Sequence, residues 1–299
     1  MNVKEGFVEA EGHRLAFLAV NAHLDDGTGP AIVFIHGVLA SVNFWRDCVP
    51  PDFRENRAWY ALSLPAHHPS GVPGDFAPGQ VDAQWFFRVM NGALQGLLGQ
   101  RKAIIVGHST GGFCGLNLAA HQAPNVAGVV SIGGFYRGRW GGVEGLLLRM
   151  AGWGPWARVL FVSSIGVARK SRWVRRVFAS LLAADRKAWL ASPLSERMLN
   201  NLEADSTRQD AQALYTLFRG IGGIDIADTL RRIRVPCHIL AGTDDPVITA
   251  AQSLVLAAEI PTARLTVFRN VGHMPFMECT ATFFDVLEGV LAELERTDP

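Results

Sequence analysis

The feature that most constrains this chain is an alternation of two textures. Short, β-rich apolar runs are each followed by a stretch with apolar residues at helical spacing. The runs are Ala31-Ile32-Val33-Phe34-Ile35, Trp59-Tyr60-Ala61-Leu62-Ser63, Ala103-Ile104-Ile105-Val106, Val126 to Ile132, Cys237-His238-Ile239-Leu240 and Leu265-Thr266-Val267-Phe268. Most are apolar throughout, as strands covered on both faces are, so they predict a mostly parallel sheet between two layers of helices. The helical stretches are Val81 to Leu98, Thr110 to His121, Thr249 to Ala258, and a last one carrying Phe283, Leu287, Val290, Leu291 and Leu294. The first twenty residues alternate well enough to add an antiparallel hairpin at one edge. The expected fold class is α/β with eight strands.

The alternation stops between Phe135 and Gly220, and there the composition also changes. This stretch holds Trp140, Trp153, Trp156, Trp173 and Trp189, five of the eight tryptophans. Between Arg137 and Asn200 stand twelve basic and three acidic residues, whereas the whole chain is at +1. The shift predicts a helical subdomain at 135–220, inserted into a core made of 1–134 and 221–299. Within it, Trp173, Val177 and Leu181 form one stripe beside Arg172, Arg175 and Arg176. Such a face is either simply solvated or a contact for a membrane surface, an anionic substrate or an acyl-carrier protein.

Composition excludes several classes. The chain is too apolar and too balanced in charge for disorder or for nucleic acid as its main partner. It has no run of 18 apolar residues to span a membrane. No apolar signal segment follows Met1-Asn2-Val3-Lys4-Glu5-Gly6, so a cytoplasmic location is expected. Cys48, Cys114, Cys237 and Cys279 are scattered and read as reduced, mostly buried thiols. His67 and His68 read as loop residues with no third metal ligand near them. Neither a metal nor an organic cofactor is implied.

Chemistry concentrates where strands end. Gly107-His108-Ser109-Thr110-Gly111 is a G-x-S-x-G between a strand and a helix. There a tight turn lifts the serine above the sheet edge and sets it at a helix N-terminus. His36-Gly37-Val38 ends the first buried strand beside it. The amide of Val38, or second of Leu39, together with that of Thr110 would form an oxyanion hole; His36 itself reads as structural. Gly242-Thr243-Asp244-Asp245-Pro246 follows a later strand and offers two acids, of which Asp245 is preferred. His273, in Val271-Gly272-His273-Met274-Pro275, follows the last strand and would act as general base toward Ser109.

These segments resemble the capped, fold-1 α/β-hydrolases. The likeness rests on His36-Gly37, Gly107 to Gly112, Gly242 to Asp245 and Gly272 to Pro275, and it spans nearly the whole chain outside the insertion. It implies a helical cap after the sixth strand, a Ser109–His273–Asp245 triad in the order Ser, Asp, His, and an acid three residues after Gly242. The family often has Asp-Leu-Pro-Gly-His-Gly where this chain has Ser63-Leu64-Pro65-Ala66-His67-His68, a loop that normally borders the site. A serine nucleophile points to acyl transfer on a small, largely apolar ester. A thioesterase, a carbon–carbon bond hydrolase, an acyltransferase or a non-catalytic ligand receptor are the other outcomes on this fold. Leu39, Phe44, Trp45, His108, Phe135, Trp140 and Met274 are the expected pocket walls. Trp140 and its neighbours serve equally well as the cap's own core.

Overall fold

The computed structural model describes residues 1–297. Eight strands are present among them: β1 (Val3–Ala10), β2 (His13–Val20), β3 (Ala31–Ile35), β4 (Trp59–Leu62), β5 (Ala103–His108), β6 (Val126–Ile132), β7 (Cys237–Gly242) and β8 (Ala263–Phe268). They form one sheet in the order β1-β2-β4-β3-β5-β6-β7-β8. β1 pairs with β2, and β2 with β4, antiparallel; every other pair is parallel. β3, β5 and β7 are buried along their whole length, which is why their runs carry no polar alternation.

The helices are α1 (Pro51–Asn56), α2 (Ala83–Leu98), α3 (Thr110–Ala120), α4 (Gly142–Gly152), α5 (Pro155–Lys170), α6 (Arg172–Ser180), α7 (Arg186–Ala191), α8 (Pro193–Arg208), α9 (Ala211–Ile221), α10 (Ala250–Glu259), α11 (Pro275–Glu278) and α12 (Thr280–Thr297). α1 and α11 were not expected. Each is under two turns long, too short for a helical period to show. None of the helices is long and apolar enough to cross a membrane, among the described residues.

The six helices α4 to α9 lie between β6 and β7. The chain leaves the sheet layer at 136–138 and returns at 224–226. There Gly138 N–H donates to Ile224 O (2.9 Å) and Ile226 N–H to Tyr136 O (3.0 Å). α8 is tied to loops of the sheet layer by polar side chains. Asp205 accepts from Ser41 Oγ (2.6 Å) and Asn43 Nδ2 (2.8 Å), and Asn201 Nδ2 donates to Asp47 (2.7 Å).

The basic stripe on α6 differs from its sequence reading. Arg172 pairs with Glu196 (2.7 Å) and Glu203 (3.5 Å), Arg176 with Glu196 (3.6 Å), and Arg175 with Glu203. These glutamates sit on α8, so Arg172, Arg175 and Arg176 are paired within the helical insertion; Glu196 was already in the charge count, and Glu203, past Asn200, adds one acid to it. Trp173 stands out into solvent at 70 % exposure, whereas Val177 and Leu181 are half-buried. Cys48, Cys114 and Cys237 are buried free thiols and Cys279 is a half-buried one.

Candidate active site

Strand register gathers the candidate residues at one edge of the sheet. Ile35 pairs with Gly107, His108 with Ile132, Ile132 with Leu240 and Gly242 with Phe268. The loops after β3, β5, β6, β7 and β8 therefore leave at one level. Moreover, β3 and β5 are where strand order reverses, the place where open α/β sheets form crevices.

Ser109 occupies the turn between β5 and α3 with φ 54° and ψ −115°. Such a backbone is costly for a residue with a side chain and persists only where its surroundings impose it. Here the surroundings are two close backbone approaches. A Cβ on Gly107 would overlap the carbonyl of Gly111, and one on Gly111 would overlap the carbonyl of Ile35. Ser109 N–H donates to Ile132 O (2.8 Å) and Phe113 N–H to Ser109 O (3.0 Å), which locks the turn from both sides. The Ser109 Oγ is buried and has no hydrogen-bond partner.

His273 and Asp245 meet at the same edge of the sheet. His273 Nδ1 lies 2.7 Å from Asp245 Oδ2, with both side chains almost fully buried. Asp245 Oδ1 accepts the backbone N–H of Val247 (2.8 Å) and of Ile248 (2.9 Å), so the carboxylate is held at three points. Its neighbour Asp244 is exposed. Pairing with the carboxylate places the histidine proton on Nδ1 and leaves Nε2 as an acceptor. Nε2 is buried and, like Ser109 Oγ, unpartnered. The His273 ring lies 4.7 Å from that of His108, the residue before the serine. Gly133, at φ +54°, packs on the pair: a Cβ there would lie 3.1 Å from the His273 ring and 3.4 Å from Asp245 Oδ2.

Burial alone pushes the His273 pKa down, but Asp245, with Glu144 and Glu278 behind it, outweighs burial and holds the imidazole above its ordinary 6.5. A histidine acting as base must be unprotonated, so a reaction that uses His273 as its base is lost as pH falls through that raised value. The acid limb of a kcat/KM–pH profile is thus expected to have its midpoint above 6.5; a midpoint at or below that value would contradict the arrangement.

The amides of Val38 and Thr110 find no acceptor among the described residues. Leu39 N–H, the second candidate, already donates to His67 Nε2 (3.0 Å). Burial holds His67 neutral, with a pKa lowered to about 4. Its Nδ1 donates to Pro65 O (2.9 Å), so the ring pins the loop of Val38. His36 is also structural in its contacts: Nδ1 donates to Gly37 O (2.7 Å) and Nε2 accepts from Leu64 N–H (3.1 Å).

A cavity of about 300 Å³ opens over the serine. Val38, Leu39, Phe44, His108, Ser109 and Met274 line it from the sheet side; Leu147, Ile165, Phe178, Leu182, Met198 and Leu202 line it from α4 to α8. Trp45, Phe135 and Trp140 do not line it, which corrects three of the expected pocket walls. Trp45 is spent on Phe34, Phe44 and Phe276. Phe135 stacks on Phe113 at 4.9 Å and meets the edge of Trp140, making a core layer that excludes both from the cavity. The atypical 63–68 loop reaches the cavity wall through Gln209, whose side chain bonds Ala66 O (2.5 Å) and His68 N–H (3.1 Å).

Two acids escaped the sequence reading. Glu278 on α11 accepts N–H groups from Gly272 (3.0 Å), Met274 (3.3 Å) and Ala184 (2.7 Å), clamping the His273 loop and tying it to the α6–α7 connection. Its position five residues beyond His273 carried no signal of its own. Glu144, in the first turn of α4, is buried and lines the cavity; nothing in its sequence context announces that.

Residues 30–279 match the model of the α/β hydrolase fold family. The chain belongs to the α/β-hydrolase family. Among curated proteins, it is 25 % identical over 281 residues to the "Putative carbamate hydrolase RutD" of Azorhizobium caulinodans, covering 90 % of this chain and 94 % of that one. It is 27 % identical over 276 residues to the protein of the same name from Escherichia coli, covering 89 % and 92 %. Among solved structures it is similar to a "putative aryl esterase" from Burkholderia cenocepacia, with a TM-score of 0.74 and 22 % identity over 97 % of this chain and 99 % of that chain. The enol-lactonase of Burkholderia xenovorans follows at a TM-score of 0.70 and 18 % identity over 96 % and 100 %.

Proposed function

We propose that this α/β-hydrolase is a serine hydrolase that cleaves a carboxylic ester of a small, largely apolar substrate through an acyl-enzyme on Ser109. One observation carries the reading. A buried Asp245–His273 pair leaves Nε2 unpartnered at the sheet edge that carries a strained serine, whose Oγ is also unpartnered and which lines an apolar cavity. As Ser109 Oγ bonds to the substrate carbonyl carbon, its proton passes to His273 Nε2. The carbonyl oxygen becomes an oxyanion and takes the N–H groups of Val38 and Thr110, the latter at the positive end of the α3 dipole. The bond from carbon to the alcohol oxygen then breaks as His273 returns the proton to that oxygen. A water gives a proton to His273 and attacks the acyl carbon, releasing the acid and restoring Ser109. In this reading residues 135–220 form a lid over a core made of 1–134 and 221–299.

Labelling with a fluorophosphonate, read by intact mass, tests it. Wild type should gain one adduct and Ser109→Ala none. A folded wild type that stays unlabelled would remove the enzyme reading in favour of a ligand receptor. A second reading, carbamate cleavage by the same triad, draws support from the names of the relatives in Azorhizobium and Escherichia coli. Matched nitrophenyl ester and carbamate substrates separate the two. The apolar lining favours the ester, because a carbamate must also desolvate its N–H on entering it.

A further inference from the structure

The cavity contains one acid that takes no part in the proton transfers of the proposed mechanism. Glu144 is only 3 % exposed, it is one of the residues lining the cavity, and its buried Oε2 has no hydrogen-bond partner. Its place is built. Gly141 N–H donates to Val247 O (2.8 Å), and a Cβ on Gly142 would lie 3.1 Å from Pro246 O. The first turn of α4 is thus seated on the loop that carries Asp245, and Glu144 is held over the same site as the triad.

A buried carboxyl without a partner is unfavourable, and proteins seldom keep one without a use. The other charged groups facing the cavity do not relieve it. Arg175 donates to Ala168 O (2.7 Å) and Arg169 O (2.9 Å) and pairs with Glu203. Arg169 Nε donates to Thr207 O (3.0 Å). His108 Nε2 donates to His273 O (2.9 Å), and His273, which does not line the cavity, is committed to Asp245. Neither lining arginine is bonded to Glu144, so its carboxyl is left without a counter-charge of its own.

We propose that Glu144 is a specificity-determining residue that selects substrates bearing a protonated amine, which it binds as an ion pair inside the cavity. The inference rests on the ester-hydrolase reading for its chemistry but not for its binding. Burial raises the Glu144 pKa to about 7, with Asp245 adding to the rise and His273 opposing it. In the free protein the acid is readily protonated, and an incoming ammonium restores its charge. In an apolar cavity such a pair is worth more than at the surface, and the bound amine donates a charge-assisted hydrogen bond.

The test uses dimethylaminoalkyl esters and their carbon isosteres, in which a CH replaces the protonated nitrogen, with the amine placed on the alcohol side in one pair and on the acyl side in the other. Wild type is expected to prefer the cationic member of one pair by about tenfold or more in kcat/KM, and Glu144→Gln to bring that ratio to about one. A wild-type ratio at or below one in both pairs, or a ratio that Glu144→Gln leaves unchanged, overturns the proposal. Calorimetric binding of a dimethylalkylamine to Ser109→Ala, with and without Glu144→Gln, gives the same answer without turnover. Amine binding that needs Glu144 in a protein that cleaves no ester would sink the hydrolase reading alone. Ester turnover with no amine binding would sink the Glu144 assignment alone.

Discussion

Asp245→Asn is expected to lower kcat on an activated ester by about ten-thousand-fold while leaving the protein folded. The reason lies in the three bonds on the carboxylate. Oδ1 accepts the N–H groups of Val247 and Ile248, so an asparagine placed there must keep its carbonyl oxygen on that side. Its NH2 group then faces His273 Nδ1, 2.7 Å away in the native pair. Two N–H groups cannot share that bond, so the imidazole shifts its proton to Nε2. A histidine protonated at Nε2 cannot take the proton of Ser109. The asparagine also removes the negative charge that stabilises the imidazolium formed during attack. Steady-state kinetics on wild type and variant, beside a thermal melt, provide the check. A loss of less than about tenfold, with folding intact, would mean that Asp245 does not orient the base.

The second large effect is structural. Gly111→Ala is expected to destabilise the protein by about 3–5 kcal/mol, lowering Tm on the order of 10 °C, in the range that only a clash with immobile atoms produces. The added Cβ would overlap the Ile35 carbonyl and approach His36 O at 2.8 Å. Both are backbone atoms of β3 and the turn after it, in the middle of the sheet, and no side-chain rotation can make room. To fit the methyl group, α3 must move off β3, which also opens the turn of Ser109 and the loop of Val38. The same exchange at Gly289, in the middle of α12, should have the opposite sign. A Cβ there meets nothing within 4 Å. Alanine therefore gains helix propensity with no clash, worth about 0.5–1 kcal/mol of stability. Paired melts of the two variants decide the matter. Equal and small shifts would show that the close approach of α3 to β3 is not tight.

Which parts of this protein were legible in one dimension follows from how far each depends on long-range contact. β3 and β6 were readable to the residue, because a strand covered on both faces must be apolar along its length. The turn of Ser109 was readable because close backbone approach demands glycine at 107 and 111 whatever lies around it. That Ser109, Asp245 and His273 each stand just past a strand end was readable because those strands were. None of this depends on how the helices between β6 and β7 settle on the sheet. Everything that does depend on it had to come from the tertiary structure. Trp140 and Phe135 are apolar enough for a pocket, yet packing placed them in a core layer. Arg172, Arg175 and Arg176 read as a free basic face until α8 brought Glu196 and Glu203 against them. Glu278 became a clamp only because three N–H groups from two separate loops converge on it. Glu144 became a cavity acid only because α4 docks on the loop of Asp245. Periodicity and turn chemistry are properties of neighbouring residues, so a sequence carries them directly. Whether a given side chain ends in a core, a cavity or an ion pair depends on the element that lands opposite it, and only the folded chain decides that.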